Sequence, residues 1–427
     1  MCPEINKEGM SNLIDTHGGY SMGGIDSGNT AWILISAALV FIMVPGLGFF
    51  YGGLVRSKNV VGTIGQSFMA LAIIAVVWIL WGYSLAFGPD VGGVIGNLSH
   101  FGLSGVSAST PFVGTDISQM AFMIFQAKFA IITPALVAGA FAERMRFSSF
   151  IVFIIAWSTF VYSPLAHWVW GGGWLGDWGA LDFAGGAVVH ISSGIAAVVA
   201  AIVMGNRRGL GESNLGPHNV PYVVLGASLL WFGWFGFNAG SALSAGAQAV
   251  NAFVVTHASA SVACITWVCI DRIRTGKVSV VGAATGAVAG LATITPAAGF
   301  AGPVPALFIG LAAGAVCYMA VELKNKLKLD DSLDVWAIHG VGGTIGMLFA
   351  GIFMGVGFES FGDLTDVATR GGQIWRQIGA IFVTTAYAFV MTLLILVAMK
   401  YTVGLRLTAD EEEEGLDLSQ HGEVGYS

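Results

Sequence analysis

Two histidines stand at the same spacing from an aspartate in two apolar stretches of the sequence. His190 follows Asp182 by eight residues in DFAGGAVVH, and His339 follows Asp331 by eight residues in DSLDVWAIH. A neutral imidazole donates with one ring nitrogen and accepts with the other, so two paired imidazoles can share a proton and leave their outer nitrogens free. Such a pair would form a polar path for a small solute through apolar surroundings. The alternative is that both rings are buried and satisfied by local backbone.

Aromatic residues at helical spacing form a second group of candidates. Phe125 and Phe129 are four residues apart on one predicted helix face, and Trp170 lies in WVWGGGWL. One face of another predicted helix carries Trp234, Phe237 and Ser241, at spacings of three and four residues. Aromatic stripes are common in packing. An outer mouth with an indole, a phenyl ring and a hydroxyl would nevertheless suit a small cation, because ring faces attract charge and a hydroxyl oxygen accepts hydrogen bonds.

Three further ionisable residues in or beside apolar stretches are Asp182, Lys128 and His257. Asp182 either keeps the mouth negative or caps the helix that begins beside it, and one carboxylate can do both. Lys128 directly precedes Phe129, and adjacent helical positions do not share a face, so we expect Lys128 to point away from the pore. There it would snorkel or pair in a protein interface. If Lys128 entered the pore instead, its charge would repel a cation. His257 has no symmetric partner in the sequence and is predicted to be structural.

A membrane-embedded framework has to position these residues. Of the 427 residues, 55% are hydrophobic and only 10% are charged, with a mean hydropathy of +0.77, whereas an ordinary soluble domain has about 25% charged residues. The net charge of −7 also argues against nucleic-acid partners. The sequence shows no nucleophile–base pair or metal cluster, so we predict neither an enzyme nor a cofactor or metal site. The cysteines in apolar runs are predicted to be small core residues, namely Cys264, Cys269 and Cys317.

Eleven apolar stretches are each long enough to cross a hydrocarbon core of about 30 Å. They are predicted to be helices, since an open sheet could not satisfy its backbone in lipid. The predicted spans are 30–52, 62–87, 117–142, 149–169, 183–204, 221–242, 252–271, 279–298, 303–322, 335–356 and 374–402. The fold class is therefore an all-α integral membrane protein with eleven transmembrane helices.

The distribution of basic residues predicts the orientation. Fourteen of the 18 Lys and Arg residues follow odd-numbered spans, and only Lys7, Arg370 and Arg376 lie on the opposite side. Because positive residues are retained in the cytoplasm, the N-terminus is predicted outside and the C-terminus in the cytoplasm. The protein is predicted to be a multi-pass protein of the plasma or inner membrane.

The two Asp–His motifs indicate an internal repeat. Span five enters from outside and span ten from inside, so two five-helix halves, about 30–206 and 221–357, would be related by inversion, followed by a final helix at 374–402. Eight helical residues rise about 12 Å. Two histidines at that depth from opposite faces of a core of about 30 Å would meet near its centre.

The sequence resembles the ammonium transporter family, the Amt/Mep/Rh superfamily, and most closely its prokaryotic Amt branch. The resemblance covers nearly all of residues 26–427. It rests on DSGNTAWILISAALVFIMVPGLGFFYGGLVR, FAIITPALVAGAFAERMRF, WVWGGGWLGDWGALDFAGGAVVHI, WFGWFGFNAGSA, ITPAAGF, DVWAIHGVGG and GLDLSQHGEVGY. It implies a homotrimer in the lipid bilayer, with eleven helices and one pore in each protomer.

The resemblance also implies roles for individual residues. Phe125, Trp170 and Ser241 would form the outer recruitment site, and Asp182 would be the carboxylate needed for recruitment and conduction. The remaining implied residues are the stacked phenyl gate of Phe129 and Phe237 and the pore pair of His190 and His339. In many prokaryotic members a PII-type protein blocks the pore from the cytoplasmic side.

The ends of the chain are predicted to lie outside the membrane. Residues 1–29 form an extracytoplasmic segment, 30–404 the transporter domain, and 405–427 a cytoplasmic regulatory tail. The acidic run 410–414 is predicted to be solvated and mobile. The following GLDLSQHGEVGY is predicted to dock on the cytoplasmic face.

These observations predict recruitment of ammonium at the outer aromatic site, deprotonation beneath it, and passage of ammonia with or without the separated proton. Desolvation favours the neutral form of an amine and makes a bare cation costly in the membrane. An ammonium sensor on the same scaffold, which binds but conducts poorly, is the alternative. An ion-coupled carrier for a larger substrate is disfavoured because the spans lack midplane carboxylates.

Overall fold

The structure, a computed structural model, describes residues 24–211, 215–358 and 367–426. Eleven of the described helices are long and apolar enough to cross a membrane, which confirms the predicted fold class. They are α1 (Ser27–Leu54), α2 (Ser57–Phe87), α3 (Gln119–Phe141), α4 (Phe147–Asp177), α5 (Gly186–Met204), α6 (Val220–Gly240), α7 (Ala247–Thr275), α8 (Val280–Ala297), α9 (Pro303–Lys326), α10 (Trp336–Phe353) and α11 (Thr369–Thr402). Their bounds lie within a few residues of the predicted spans for most helices, while α4 continues eight residues beyond its predicted end.

Polar side chains set the starts of several helices in the apolar sequence. The carboxylate of Asp26 accepts from the Asn29 N–H at 2.7 Å, and the Ser118 hydroxyl accepts from the Ala121 N–H at 3.1 Å. Asn219 caps α6 in the same way. These caps satisfy backbone donors that have no partner within the first turn of a helix.

The helices that carry the two candidate histidines begin with the same irregularity. The first turns of α5 (Gly186–Ile191) and of α10 (Trp336–Val341) are π-helical, with His190 and His339 in corresponding places. π-Helical turns are rare and often occur at functional sites. This shared geometry is what an internal repeat requires.

Glycines allow α5 and α10 to cross in direct contact. A Cβ added at Gly194 would lie 2.3 Å from the backbone of Gly340, and one added at Gly343 would lie 2.8 Å from the Cβ of His190. Gly194 and Gly343 each follow a histidine by four residues, so the two contacts correspond to each other. Small residues permit this approach of backbones in membrane helices, and here they bring the two histidines together.

A small hairpin on the N-terminal side of α3 was not predicted from the sequence. Its strands, β1 (Asp90–Val91) and β2 (Ile95–Gly96), pair antiparallel. Trp168 of α4 donates its indole N–H to the Val94 carbonyl at 2.7 Å, and the Trp174 N–H donates to the Gly93 carbonyl at 3.1 Å. The hairpin is therefore fixed against the end of α4.

The acidic run of the tail is ordered, so the prediction that it is mobile was wrong. Ala409–Glu414 forms a short helix, α12, which begins with a capping box between Thr408 and Glu411. Glu412 is buried and receives two hydrogen bonds from the Arg406 guanidinium. A paired charge and a capped helix start explain how this run forms a helix, while Asp410, Glu413 and Glu414 are exposed, as the predicted solvation requires.

The tail beyond α12 lies against the start of α2. The Asp417 carboxylate accepts from the Gly62 N–H, and the Asn59 side-chain oxygen accepts from the Leu416 N–H, both at 2.8 Å. Gly415, with a φ of +106°, approaches Lys58 so closely that a Cβ would lie 2.5 Å from its carbonyl oxygen. The predicted docking of GLDLSQHGEVGY is thus present in these contacts.

Buried ion pairs connect the loops at this end of the bundle. Arg207 contacts the carboxylates of Glu143 at 3.6 Å and Asp330 at 2.9 Å, while Arg56 contacts Glu143 at 2.9 Å. Burial opposes ionisation of Glu143, but Arg207 and Arg56 outweigh it and lower the pKa of that carboxyl. Burial likewise opposes ionisation of Asp330, and the bond and charge of Arg207 lower its pKa in turn. Both carboxylates are therefore held charged.

The sequence predicted that three cysteines are core residues, but not all of them lie in the core. Cys317 is buried, Cys264 is half-buried and Cys269 is exposed on α7. All three are free thiols. The prediction fails for Cys269 because α7 is apolar on its outer face as well as on its inner face, as helices in a membrane are. Cys2 lies outside the described residues.

Candidate functional site

His190 and His339 lie against each other in the interior of the bundle. Their Nδ1 atoms are 3.1 Å apart, and their rings are nearly parallel at 20° with centroids 5.1 Å apart. Both side chains are buried. A hydrogen bond between these two atoms needs one donor and one acceptor, so the pair holds a single proton between the rings. The Nε2 atom of His190 has no hydrogen-bond partner among the described residues.

The Asp182 carboxylate builds the start of the helix that carries His190. Its Oδ1 accepts from the N–H groups of Gly185 and Gly186 at 2.8 and 2.6 Å. Its Oδ2 accepts from Ala187 and Val188 at 2.8 and 3.2 Å. Four backbone donors that would lack partners at a buried helix start are thereby satisfied. Of the two roles that the sequence left open for Asp182, the geometry supplies the cap.

The corresponding residue of the other half, Asp331, has a different environment. Its Oδ2 accepts from the Trp336 N–H at 2.7 Å, while its Oδ1 has no described partner. Lys324 donates to the Asp331 carbonyl at 2.7 Å and pairs with Asp334 at 2.5 Å. Burial raises the pKa of Asp331 to about 6, although the charge of Lys324 acts in the opposite direction. The two halves therefore share a helix start but differ in the charge around it.

An aromatic cavity of about 180 Å³ lies on one side of the histidine pair. It has room for several small molecules, since one water molecule needs only about 10–15 Å³ of such a cavity. The aromatic cavity is lined by Phe112, Phe122, Gln126, Phe129, Trp170, Phe183, Ser241 and Leu243. The rings of Phe112 and Phe122 stack with centroids 3.7 Å apart.

Ser241 and Gln126 bring oxygen acceptors to the aromatic cavity, and the Gln126 amide also brings N–H donors. Ser241 donates its hydroxyl hydrogen to the Phe237 carbonyl at 2.9 Å, which leaves the oxygen lone pairs free. The Trp170 indole N–H is engaged with the Asp182 carbonyl at 2.8 Å. The side-chain oxygen of Gln126 is buried and has no described partner. This arrangement suits a small cation with N–H groups, which can donate to oxygen and contact the faces of rings.

Two phenyl rings separate the aromatic cavity from the histidine pair. The centroids of Phe129 and Phe237 are 4.3 Å apart, with ring planes at 37°. Phe129 lines the aromatic cavity, whereas Phe237 lines a second, histidine cavity of about 60 Å³ that contains His190 and His339. The contact between Phe129 and Phe237 therefore joins the linings of the two cavities.

Comparison with known proteins agrees with this arrangement. The profile of the Ammonium Transporter Family matches residues 31–426. The chain belongs to that family. Ammonium transporter Amt1 of Archaeoglobus fulgidus is 50% identical over 94% of this chain and 100% of its own length.

Solved structures of the family are similar as well. Mep2 of Saccharomyces cerevisiae has a TM-score of 0.83 and 38% identity over 92% of this chain and 91% of its own. A structure titled Sensor Amt Protein has a TM-score of 0.85 and 31% identity over 92% of this chain and 98% of its own. These relatives place the chain among membrane transporters rather than enzymes and support ammonium as the substrate.

Most of the predicted site residues of this family member lie around the two cavities. Trp170, Ser241 and Phe129 line the aromatic cavity, and Phe237 with both histidines lines the histidine cavity. Phe125 and Asp182 are not among the lining residues. Phe125 is fully buried and packs edge-on against Phe129, with centroids 5.0 Å apart. The Asp182 carboxylate is turned toward the backbone that it caps.

Lys128 and His257 both lie away from the two cavities. The Nζ atom of Lys128 is 5.5 Å from the centroid of the Phe41 ring, which is 45% exposed on α1. His257 is exposed on α7 beside Trp231, with ring centroids 5.4 Å apart. Both residues therefore belong to the outer surface of the bundle, as expected for Lys128 from its position next to Phe129.

Sequence reasoning missed five residues of the aromatic cavity, and one of them, Leu243, lies in the loop after α6. Phe122 and Gln126 precede Phe129 by seven and three residues on α3, so helical periodicity alone could have placed them on its face. Phe112 and Phe183 lie in loops, and no local pattern connects them to this site. Among the described residues, no group of three His, Cys, Asp or Glu side chains could hold a metal ion.

Proposed function

We propose that this protein recruits ammonium in the aromatic cavity, deprotonates it there, and conducts ammonia past the histidine pair, with or without the separated proton. One observation carries the proposal: the Phe129–Phe237 contact lies between a cavity of acceptors and ring faces and a buried imidazole pair. The first compartment suits a cation and the second suits a small neutral solute.

Recruitment depends on attraction of the ammonium charge by aromatic rings and oxygen acceptors. Trp170 and Phe129 offer ring faces, an interaction worth about 2 kcal/mol or more when the cation is desolvated. Ser241 and Gln126 offer oxygen atoms to the N–H groups of ammonium. A sodium or potassium ion would lose its water here without a ring of carbonyls to replace it. Phe125 and Asp182 support this site by holding Phe129 and the start of α5.

Deprotonation follows from the cost of moving a bare cation past the phenyl rings. An alkyl ammonium has a pKa of about 10.4 in water, and removal of water favours its neutral form. Ammonia can donate to one imidazole nitrogen and accept from another, so the pair of His190 and His339 offers it hydrogen bonds in an otherwise apolar passage. The phenyl rings of Phe129 and Phe237 act as the gate.

The distribution of charge supports the orientation of this path. The basic residues and the docked tail lie at the end of the bundle that carries Arg207 and Glu143. The positive-inside rule supports a cytoplasmic position for this end and an outside position for the aromatic cavity. A PII-type regulatory protein would bind at this end, beside the tail of residues 405–426.

A second copy of the chain would cover the outer surface that contains Lys128 and His257. His257 lies ten residues into α7, deep in the hydrocarbon region, and its exposed ring packs beside Trp231. Lipid offers the imidazole no hydrogen bonds, so exposure to lipid would be costly. We therefore assign this surface to the subunit contact of a homotrimer.

A sensor is the second candidate, favoured by the similarity to the structure titled Sensor Amt Protein. Proteoliposomes on a supported membrane separate the two functions. A saturable ammonium-evoked current that is lost when Phe129 and Phe237 are both replaced by alanine supports conduction. Ammonium binding without a current supports sensing. The absence of both binding and current would contradict both functions. An Asp177→Asn variant, at an exposed position outside both cavities, controls for nonspecific effects on insertion.

A further inference from the structure

His167 is a buried histidine of α4 that the proposed path does not use. It is completely buried, three residues before Trp170. Its Nδ1 lies 2.9 Å from the Ala86 carbonyl, and its Nε2 lies 2.8 Å from the Asp90 carboxylate. One ring nitrogen is thus within hydrogen-bond distance of the end of α2 and the other of the β1–β2 hairpin. His167 therefore links these two elements to α4.

Asp90 is held in place independently of His167. Both of its carboxylate oxygens accept from the Gly93 N–H, at 2.8 and 2.9 Å, which fixes the turn of the β1–β2 hairpin. The hydrogen bond from His167, followed by that from Gly93, lowers the pKa of the Asp90 carboxyl. The carboxylate is 40% exposed and stays charged. It gives His167 a fixed partner.

His167 and its partner Ala86 each connect to residues that line the aromatic cavity. Ala86 is followed at the end of α2 by Phe87, whose ring meets Phe122 edge-on with centroids 4.9 Å apart. Phe122 stacks on Phe112, and both line the cavity. On the other side, Trp170 ends the helical turn that contains His167. The His167 carbonyl itself accepts from the Gly171 and Gly173 N–H groups at 3.0 and 2.9 Å, which closes that turn.

We propose that His167 and Asp90 are positioning residues for the aromatic cavity, which hold the Phe122 wall and Trp170 at the separation that ammonium recruitment requires. The inference rests on the proposed function for its transport measurement. Loss of the Asp90 carboxylate would leave the Nε2 atom of the fully buried His167 without its hydrogen-bond partner, which is costly. The end of α4 and the hairpin would then shift relative to each other and move Trp170.

The first test compares Asp90→Asn with Asp177→Asn in ammonium-evoked currents. Both variants remove one negative charge from this end of the bundle, but Asp177 is exposed and its side chain has no partner among the described residues. We expect Asp90→Asn to raise the half-saturating ammonium concentration by about fivefold, the scale of one lost hydrogen bond, with an unchanged maximal current. Asp177→Asn should leave both quantities unchanged. An unchanged half-saturating concentration for Asp90→Asn, or equal effects of the two variants, overturns the proposal.

The second test does not depend on transport. The chain has 13 tryptophans, and incorporation of 5-fluorotryptophan gives each a fluorine resonance, of which the one missing in Trp170→Phe belongs to Trp170. We expect this resonance to shift or broaden in Asp90→Asn and to stay in place in Asp177→Asn. A Trp170 resonance unchanged by Asp90→Asn overturns the positioning role. A wild-type protein without ammonium currents would contradict the proposed conduction alone, since the resonance still decides the positioning role.

Discussion

The Nδ1 atom of His190 lies 3.1 Å from the Nδ1 atom of His339, within hydrogen-bond distance. The two atoms belong to helices that cross through glycine contacts, so their separation is set by backbone and not by flexible side chains. One ring donates to the other, and the remaining Nε2 atoms face away from the shared proton. The hydrogen bonding of each histidine therefore depends on the presence of the other.

Replacement of His339 by alanine is expected to change conduction or ion preference. The variant removes the partner of the His190 Nδ1 atom and opens space that water can enter beside the phenyl gate. We expect the ammonium flux, or the preference for ammonium over potassium, to change by about tenfold, the scale of about 1.4 kcal/mol. Currents with each cation measure both quantities. Unchanged flux together with unchanged preference would count against the histidine path.

Gly194→Ala is expected to separate the helices that carry the two histidines. Its new Cβ would lie 2.3 Å from the Gly340 backbone, which cannot give way as a flexible side chain would. Overpacking of this kind costs about 1–3 kcal/mol, and here it also displaces His190, four residues away. Thermal unfolding and ammonium currents should both decline.

Gly371→Ala is the matched control for this effect. Gly371 lies within α11, and an added Cβ there has no described atom within 4 Å. Alanine should be tolerated or slightly stabilising at that position, since glycine is the poorer helix former by about 1 kcal/mol. Equal behaviour of the two variants would argue that the α5–α10 contact does not determine the histidine geometry.

Gln126→Leu is expected to weaken recruitment without loss of stability. The Gln126 oxygen is buried without a described partner, and leucine has a similar size without a polar group to satisfy. The melting temperature should therefore stay the same or rise, while the half-saturating ammonium concentration rises by about fivefold. Thermal unfolding and concentration-dependent currents test the two parts. A lower melting temperature with unchanged half-saturation would mean that Gln126 is structural.

The sequence was most informative where chemistry and periodicity coincide. Depth along two helices sufficed to predict that His190 and His339 would meet, and charge on alternate loops suggested the topology. Phe183 and Phe112 could not be found in this way, because loops bring them to the cavity from distant parts of the chain. The acidic run around Glu412 was misjudged because its partner, Arg406, satisfies a charge that composition alone assigns to solvent.

Acid is expected to destabilise the protein through the carboxylates that surround Arg207. The pKa of Glu143 is lowered from 4.5 and that of Asp330 from 3.8 in the folded protein, so the unfolded chain binds protons more readily as pH falls. The stability that these pairs contribute is present above the unfolded values and is lost below them. The melting temperature of the wild type should thus decrease once the pH is lowered below about 4.5. Glu143→Gln should show a shallower fall in the same pH range, and an equal slope would contradict the assignment.

Glu412→Gln is expected to loosen the tail, because Glu412 is 4% exposed and bonded to Arg406. Arg406 also donates to the carbonyls of Met204 and Asn206 at 2.9 and 2.8 Å, so it joins the tail to the end of the helix that carries His190. Arg406 is 32% exposed, so the loss of this ion pair should cost less than the about 3–5 kcal/mol of a fully buried pair. Backbone hydrogen exchange should accelerate across residues 405–426 in this variant and also at the end of α5. Glu414→Gln, at an exposed position of the same short helix, should leave exchange unchanged. Acceleration confined to the tail would show that docking and α5 are not coupled through Arg406.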